Sequence, residues 1–227
     1  MTQLALDLPH RAALGRADFL AAGPNEAALG WIERWPDWPA RAVALHGPAG
    51  CGKSHLAGLW QARSGGVLVA GAALAGLDPA ALAGRRAVAL DDADRAPERA
   101  LLHLYNCCVE TRAGLLLVAR RAPAAWATML PDLASRLRAM PAVAIGAPDD
   151  ALLAAVLVKH FADRQLHPAP SVIDFLVRRM ERSFAAAAAL VGAIDRLALA
   201  GRRPVTLAVA REVLGERAGA GDASAEK

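Results

Sequence analysis

The chain has 227 residues, a hydrophobic fraction of 55% to which alanine contributes much, and a net charge of +4 at pH 7. That length holds one large domain or two small ones. No stretch of about 18 apolar residues runs free of charge, which argues against a membrane span, and Met1-Thr2-Gln3-Leu4 lacks the basic-then-apolar pattern of a secretory leader. The three cysteines, Cys51, Cys107 and Cys108, have neither an even count nor metal-ligand spacing, so buried thiols in a reducing compartment are expected. The mild positive charge is compatible with work near DNA and does not require contact with it.

Residues 1–12 read as a tail. Leu4, Leu6 and Leu8 alternate as in half a strand; they are either a frayed terminus or an extended motif that docks into a partner's apolar groove. Residues 26–35 place Leu29, Trp31, Ile32 and Trp35 at helical spacing, with Pro36 and Pro39 ending the helix. Its tryptophans read as core and not as a platform for stacking bases. The apolar residues 43–45 then run toward Gly47-Pro48-Ala49-Gly50-Cys51-Gly52-Lys53-Ser54, which fits G-x-x-x-x-G-K-[ST], and His55 onward can continue as a helix. Strand, glycine loop and helix are the setting a phosphate-binding loop requires. Glycines let N–H groups converge on phosphate oxygens, and the helix start adds unpaired donors and the positive end of its dipole. Lys53 would reach the β- and γ-phosphates, and Ser54 would ligate Mg²⁺.

Residues 67–69 form a strand candidate after Gly65-Gly66, and Asp78-Pro79 opens a short helix within the alanine-rich 71–86. Ala87-Val88-Ala89-Leu90 reads as a buried parallel strand. The carboxylates that follow it fall where ligands bind in open α/β sheets. Asp91 is placed to hold Mg²⁺, directly or through water, and Asp92 to orient or deprotonate a water; the plainer alternative is a solvated turn or a helix cap. A helix over 97–110, a strand over 115–119, a short helix over 129–138 with Arg136 and Arg138, and a strand over 143–145 complete the pattern. Strands alternating with helices predict a parallel sheet with helices on both faces. From Pro148 the pattern is helical only. Asp149 or Asp150, Ser171, Ser183 and Thr206 can each cap one helix. The expected layout is a tail over 1–12, an α/β nucleotide-binding domain over 13–147, a helical lid domain over 148–214 and an unstructured tail over 215–227. A nucleotide would lie between sheet domain and lid.

The phosphate loop, the Asp91-Asp92 strand end, Ser135-Arg136 and a helical lid, in that order, resemble the AAA+ proteins related to the replication initiator DnaA. Among these the chain looks most like the short Hda-type regulators that inactivate DnaA. The resemblance covers about residues 1–214 and implies a P-loop AAA+ parallel sheet flanked by helices with a small C-terminal lid. Gln3, Leu4, Leu6 and Leu8 are similar to the motif by which such regulators bind the replicative sliding clamp. Asp18-Phe19-Leu20 and Pro24-Asn25 resemble the segment that passes the adenine. The resemblance thus implies a nucleotide site of Gly47, Pro48, Ala49, Gly50, Cys51, Gly52, Lys53, Ser54, His55, Phe19, Leu20 and Asn25, with ADP or ATP bound and Mg²⁺ on Ser54 and Asp91. Asp132-Leu133-Ala134-Ser135-Arg136-Leu137 resembles the arginine-finger segment, which makes Arg136 and Asp92 the catalytic candidates.

Two positions depart from the family. The strand over 115–119 should end in a polar sensor of the γ-phosphate and offers Val118 and Ala119, then Arg120. The lid helix should present an arginine and has Ala185, with Arg182 the nearest arginine. Both changes remove groups that stabilise transition-state charge, which leaves intrinsic hydrolysis unsupported and suits a protein that holds its nucleotide as a conformational ligand. The function implied is a cytoplasmic regulator of replication initiation. Bound to the clamp, it would stimulate hydrolysis of DnaA-bound ATP by inserting Arg136 in trans. The chain stops where DnaA would continue into its DNA-binding domain, so the expected partners are the clamp and DnaA, with no direct sequence-specific DNA binding, no membrane and a homodimer allowed. The alternative is a self-sufficient ATPase such as a helicase loader; a small-molecule kinase would need acceptor-binding residues that the sequence does not offer.

Overall fold

The computed structural model describes residues 19–222, with side chains to Gly215. Five strands, β1 (Ala42–His46), β2 (Val67–Ala70), β3 (Ala87–Asp91), β4 (Gly114–Ala119) and β5 (Ala142–Ala144), form one sheet in the order β2-β3-β4-β1-β5. Every neighbouring pair is parallel. Parallel neighbours require crossovers, usually helical. These are α2 (Lys53–Ser64) after β1, α3 (Pro79–Ala83) after β2, α4 (Glu98–Thr111) after β3 and α5 (Pro131–Ala139) after β4, while α1 (Gly23–Arg34) precedes the sheet.

Side chains alternate across a strand, and here the alternation sorts two cores. Val43 and Leu45 of β1, with Ala87, Ala89, Leu116 and Val118, pack under α1 and α2. Ala42 and Ala44, with Val88, Leu90, Leu115 and Leu117, pack under α3, α4 and α5. Both faces are covered, so β4 is buried along its whole length; that is why these strands read as unbroken apolar runs. Trp35 lies in the first core and Trp31 packs against it, as expected, together with Trp38 and Trp60. Trp60 stacks on Trp38 at 5.2 Å and meets Trp35 edge-on at 5.2 Å, and Trp38 Nε1 donates to the Trp31 carbonyl at 2.7 Å.

A third core holds together the C-terminal helical unit expected to act as a lid, formed by α6 (Asp150–Ala162), α7 (Pro170–Val177), α8 (Phe184–Gly201) and α9 (Leu207–Asp222). Asp149 caps α6 by accepting from Leu152 N (2.8 Å), and Ser183 caps α8 by accepting from Ala186 N (3.1 Å). Ser171 does not cap α7: Pro170 takes the first helical position and Ala169 the cap. Proline's fixed φ and missing N–H suit that first position. The backbone of α9 continues through Gly215 to Asp222, where the sequence suggests unstructured chain. α8 is long and apolar enough by composition to cross a membrane, but Asp195 and Arg196 interrupt it and its Leu190, Val191 and Ile194 belong to the lid core.

Candidate functional site

The C-terminal ends of β1, β4 and β3 lie side by side and form the floor of the site. Ile145 N donates to the His46 carbonyl (2.7 Å) and Gly47 N to the Ala119 carbonyl (3.3 Å), so the glycine loop leaves the sheet from a point pinned on both sides. Gly50 at φ +70° and Gly52 at φ +95° turn the chain back; L side chains rarely adopt this left-handed conformation. Gly52 is the N-cap of α2, and the first N–H groups of the helix point into the loop without intrahelical acceptors. Lys53 is buried. Its ammonium donates to the carbonyls of Gly47 (2.9 Å) and Pro48 (2.6 Å) and lies 3.8 Å from Cys51 Sγ. Ser54 is exposed beside it.

The adenine-side candidates form a second wall. Phe19 is buried and meets the His55 ring edge-on at 5.2 Å. Asn25 is 2% exposed, and its amide is engaged with backbone: Nδ2 donates to the Leu20 carbonyl (3.0 Å) and Oδ1 accepts from Ala22 N (2.9 Å). Asn25 therefore shapes the segment, and Leu20, half-buried, is held by it. Gly146 N donates to the Pro24 carbonyl (2.9 Å), which ties this segment to the chain leaving β5. Asp18 and the tail residues Gln3, Leu4, Leu6 and Leu8 lie outside the described residues.

Asp91 ends β3 half-buried, and its Oδ1 accepts from Asp92 N at 3.0 Å. Asp92 stands at φ 49° without capping the turn that follows, and its carboxylate is 4.0 Å from Arg95. A non-glycine residue held at positive φ is uncommon and concentrates at functional sites. Ala119 at the end of β4 is buried, and Arg120 and Arg121 beyond it are exposed, so no polar side chain stands at that strand end before Arg120. His46 was not among the sequence candidates, because a single histidine at a strand end carries no motif. Strand alternation turns it to the side of Ala42 and Ala44, and burial lowers its pKa, so the imidazole is neutral at pH 7. Among the described residues, no group of three or more His, Cys, Asp or Glu could hold a metal ion.

The lid reaches the loop through the start of α8. Phe184 N donates to the Gly50 carbonyl at 2.9 Å. A Cβ on Gly50 would lie 2.5 Å from Ser183 Cβ, and one on Gly52 would lie 3.2 Å from the Phe184 ring. These contacts join residues remote in sequence and had no sequence signal. Ala185 is exposed on the first turn of α8. Arg182 turns to Asp150 of α6, with 2.8 Å between the charged groups.

Arg136 lies on α5 with its guanidinium over the Tyr105 ring of α4, 5.3 Å from the centroid. Its Nε is buried without a hydrogen-bond partner, and it makes no ion pair among the described residues. The start of α5 is fixed by Glu98, whose carboxylate accepts from Met129 N (2.9 Å) and Leu130 N (3.0 Å). Arg138 is exposed. The thiols are free and buried; burial pushes Cys108 up to about 12, and burial, with the negative charges of Glu110 and Asp78, also raises Cys107.

No protein-family model matches this sequence, and no curated protein matches it. Solved structures do. Domain III of the Thermotoga maritima replication initiation protein DnaA superposes with a TM-score of 0.78 at 14% identity, over 92% of this chain and 98% of that one. AMPPCP-bound DnaA from Aquifex aeolicus gives 0.66 at 15% identity, over 79% of this chain and 63% of that one. A Thermotoga maritima RuvB mutant gives 0.67 at 13% identity, over 85% and 68%. At such identities the likeness is one of fold: a parallel five-stranded sheet between helices, followed by a small helical unit, as in domain III of DnaA.

Proposed function

We propose that this chain is an adenine-nucleotide-binding, cytoplasmic regulator of replication initiation of the Hda type. Tethered to the sliding clamp through Gln3, Leu4, Leu6 and Leu8, it presents Arg136 to ATP held by DnaA. The observation that carries the reading is an asymmetry. The candidate phosphate-binding residues are gathered past the C-terminal end of β1, whereas β4 ends in buried Ala119 and α8 opens with Ala185 in place of an arginine. Meanwhile Arg136 has no ion-pair partner among the described residues.

The residues fit a nucleotide and its metal. Side chains at Gly50 and Gly52 would run into Ser183 and the Phe184 ring, the N–H groups at the start of α2 favour anions, and Lys53 supplies a charge-assisted donor. Ser54 and the half-buried Asp91 would hold Mg²⁺, which would neutralise phosphate charge. Phe19, Leu20 and His55 would line the base side, with Asn25 ordering the Leu20 carbonyl. Asp92 would orient a water. On the partner, the Arg136 guanidinium would leave Tyr105 and meet charge developing on DnaA's γ-phosphoryl group. An arginine supplied in trans accelerates such hydrolysis by roughly 10³–10⁵.

The test is conversion of DnaA-bound ATP to ADP with clamp on DNA. Arg136→Ala is expected to lose more than about 10²-fold of the stimulation while keeping nucleotide and clamp binding, since the group acts on transition-state charge. Arg138→Ala should do far less, and Arg136→Lys should rescue poorly because ammonium lacks the fork. Gln3→Ala with Leu6→Ala should abolish clamp binding and leave folding intact. Lys53→Ala should abolish the rise in melting temperature produced by ADP. Equal stimulation by wild type and Arg136→Ala would replace this reading with a self-sufficient ATPase.

A further inference from the structure

At the edge of the sheet opposite the glycine loop, the strand starts bring arginines together. Arg41 precedes β1 and Arg86 precedes β3, and both flank β4: Leu115 N donates to the Arg41 carbonyl (2.8 Å) and Gly114 N to the Arg86 carbonyl (3.2 Å). Arg85 adjoins Arg86, and Arg112 ends α4. The Thr111 hydroxyl donates to the Ala83 carbonyl at 3.0 Å, which holds the end of α4 against the turn that carries Arg85 and Arg86. All four arginines are exposed, and none of their side chains makes an ion pair or hydrogen bond among the described residues. Arg112 sits at φ 59°, where glycine or asparagine would cost less. Carboxylates stand near them as well, Glu110 two residues before Arg112 and Asp37 four before Arg41, and Val109 is an exposed large apolar side chain beside Glu110.

We infer that this edge is a contact surface for the phosphodiester backbone of duplex DNA, separate from the nucleotide site and independent of the reading given above for it. Adjacent strands lie about 4.8 Å apart, so Arg41 and Arg86 stand roughly 10 Å apart across β4. A duplex carries one charge per about 1.7 Å of its axis, so a cationic row of that width meets several phosphates at once. The side chains are all arginine, whose fork matches phosphate oxygens. Contacts of this kind grip without reading bases.

The test uses the full chain and a short labelled duplex, with binding followed by fluorescence anisotropy across a salt series. Arg41→Gln with Arg86→Gln should weaken binding equally for unrelated sequences and make the slope of log K against log salt shallower by about 2. Arg178→Gln with Arg196→Gln removes the same charge from the lid and should leave the slope unchanged. Arg85→Gln with Arg112→Gln provides a second edge variant should the first pair fold poorly, as read by circular dichroism. The inference is overturned if wild type does not bind the duplex, if edge and lid pairs act alike, or if the edge pair loses binding to poly-glutamate while keeping its grip on DNA.

Discussion

Replacing Gly50 by alanine isolates the contact between loop and lid. Two costs combine. Alanine at φ +70° pays the left-handed penalty, about 1–2 kcal/mol. Its Cβ would also lie 2.5 Å from Ser183 Cβ, an overpacking worth about 1–3 kcal/mol. Gly65 separates the two, because it has φ +67° and nothing within 4 Å of a built Cβ. Gly65→Ala should therefore cost only the first term, and Gly50→Ala about 2–5 kcal/mol in all. If the lid instead moves away, the ceiling is set by what it gives up, including the Phe184 N to Gly50 hydrogen bond at 2.9 Å. Ser183→Gly removes the colliding carbon, and glycine costs only a few tenths of a kcal/mol as a helix cap. The double variant should then cost little more than Gly65→Ala, with a coupling of about 1–3 kcal/mol between the two sites. Urea unfolding without nucleotide, followed by tryptophan fluorescence for the sheet domain and circular dichroism for the lid, measures each corner of the cycle. Equal costs for Gly50→Ala and Gly65→Ala, or no coupling with Ser183→Gly, would refute the seating of α8 on the loop.

Two further outcomes follow from titratable groups. Burial lowers the pKa of His46, so the unfolded chain binds a proton there that the folded chain refuses; stability is full above about pH 6.5 and falls as pH drops from there toward the lowered folded value. Urea unfolding between about pH 7.5 and 5.5 should show this loss in wild type and a smaller one in His46→Gln, and identical pH profiles would remove His46 from the account. With Cys108 pushed up to about 12, and Cys51 and Cys107 also buried, Ellman's reagent at neutral pH should label the folded chain far more slowly than the urea-unfolded one. Rapid native labelling of Cys108 would contradict its burial.

What could be read from the sequence was what is written locally. The strands were legible because both sheet faces are covered, which turns 87–90 and 115–119 into unbroken apolar runs. The loop was legible because its residues are contiguous. Asp149 and Ser183 announced their caps, whereas Ser171 misled because Pro170 beside it fits the first helical position better than a hydroxyl fits the cap. Long-range partners stayed hidden. Nothing in the sequence joins Phe184 to Gly50 or Arg136 to Tyr105, since helical spacing assigns a residue to a face and not to the side chain opposite. Asn25 was read toward the nucleotide, and its amide proves to be engaged with Leu20 and Ala22, a use that only backbone geometry reveals. The arginine row at the far sheet edge was equally out of reach, because its members become neighbours only once the strands take the order β2-β3-β4-β1-β5.

The ammonium of Lys53, held by the carbonyls of Gly47 and Pro48, bears on which anions the loop can accept. A lysine waiting bare in a buried pocket would capture any negative ion of the right size. Here an incoming anion must replace two neutral acceptors already in place, and the net gain is only the difference between old and new partners. A single weakly basic ion such as chloride gains little from that exchange. A polyphosphate gains more, because it brings several charged oxygens that meet the ammonium and the N–H groups of the loop together. In the nucleotide-binding role proposed for this loop, discrimination would arise from the exchange itself, before any part of a nucleotide beyond its phosphates is recognised.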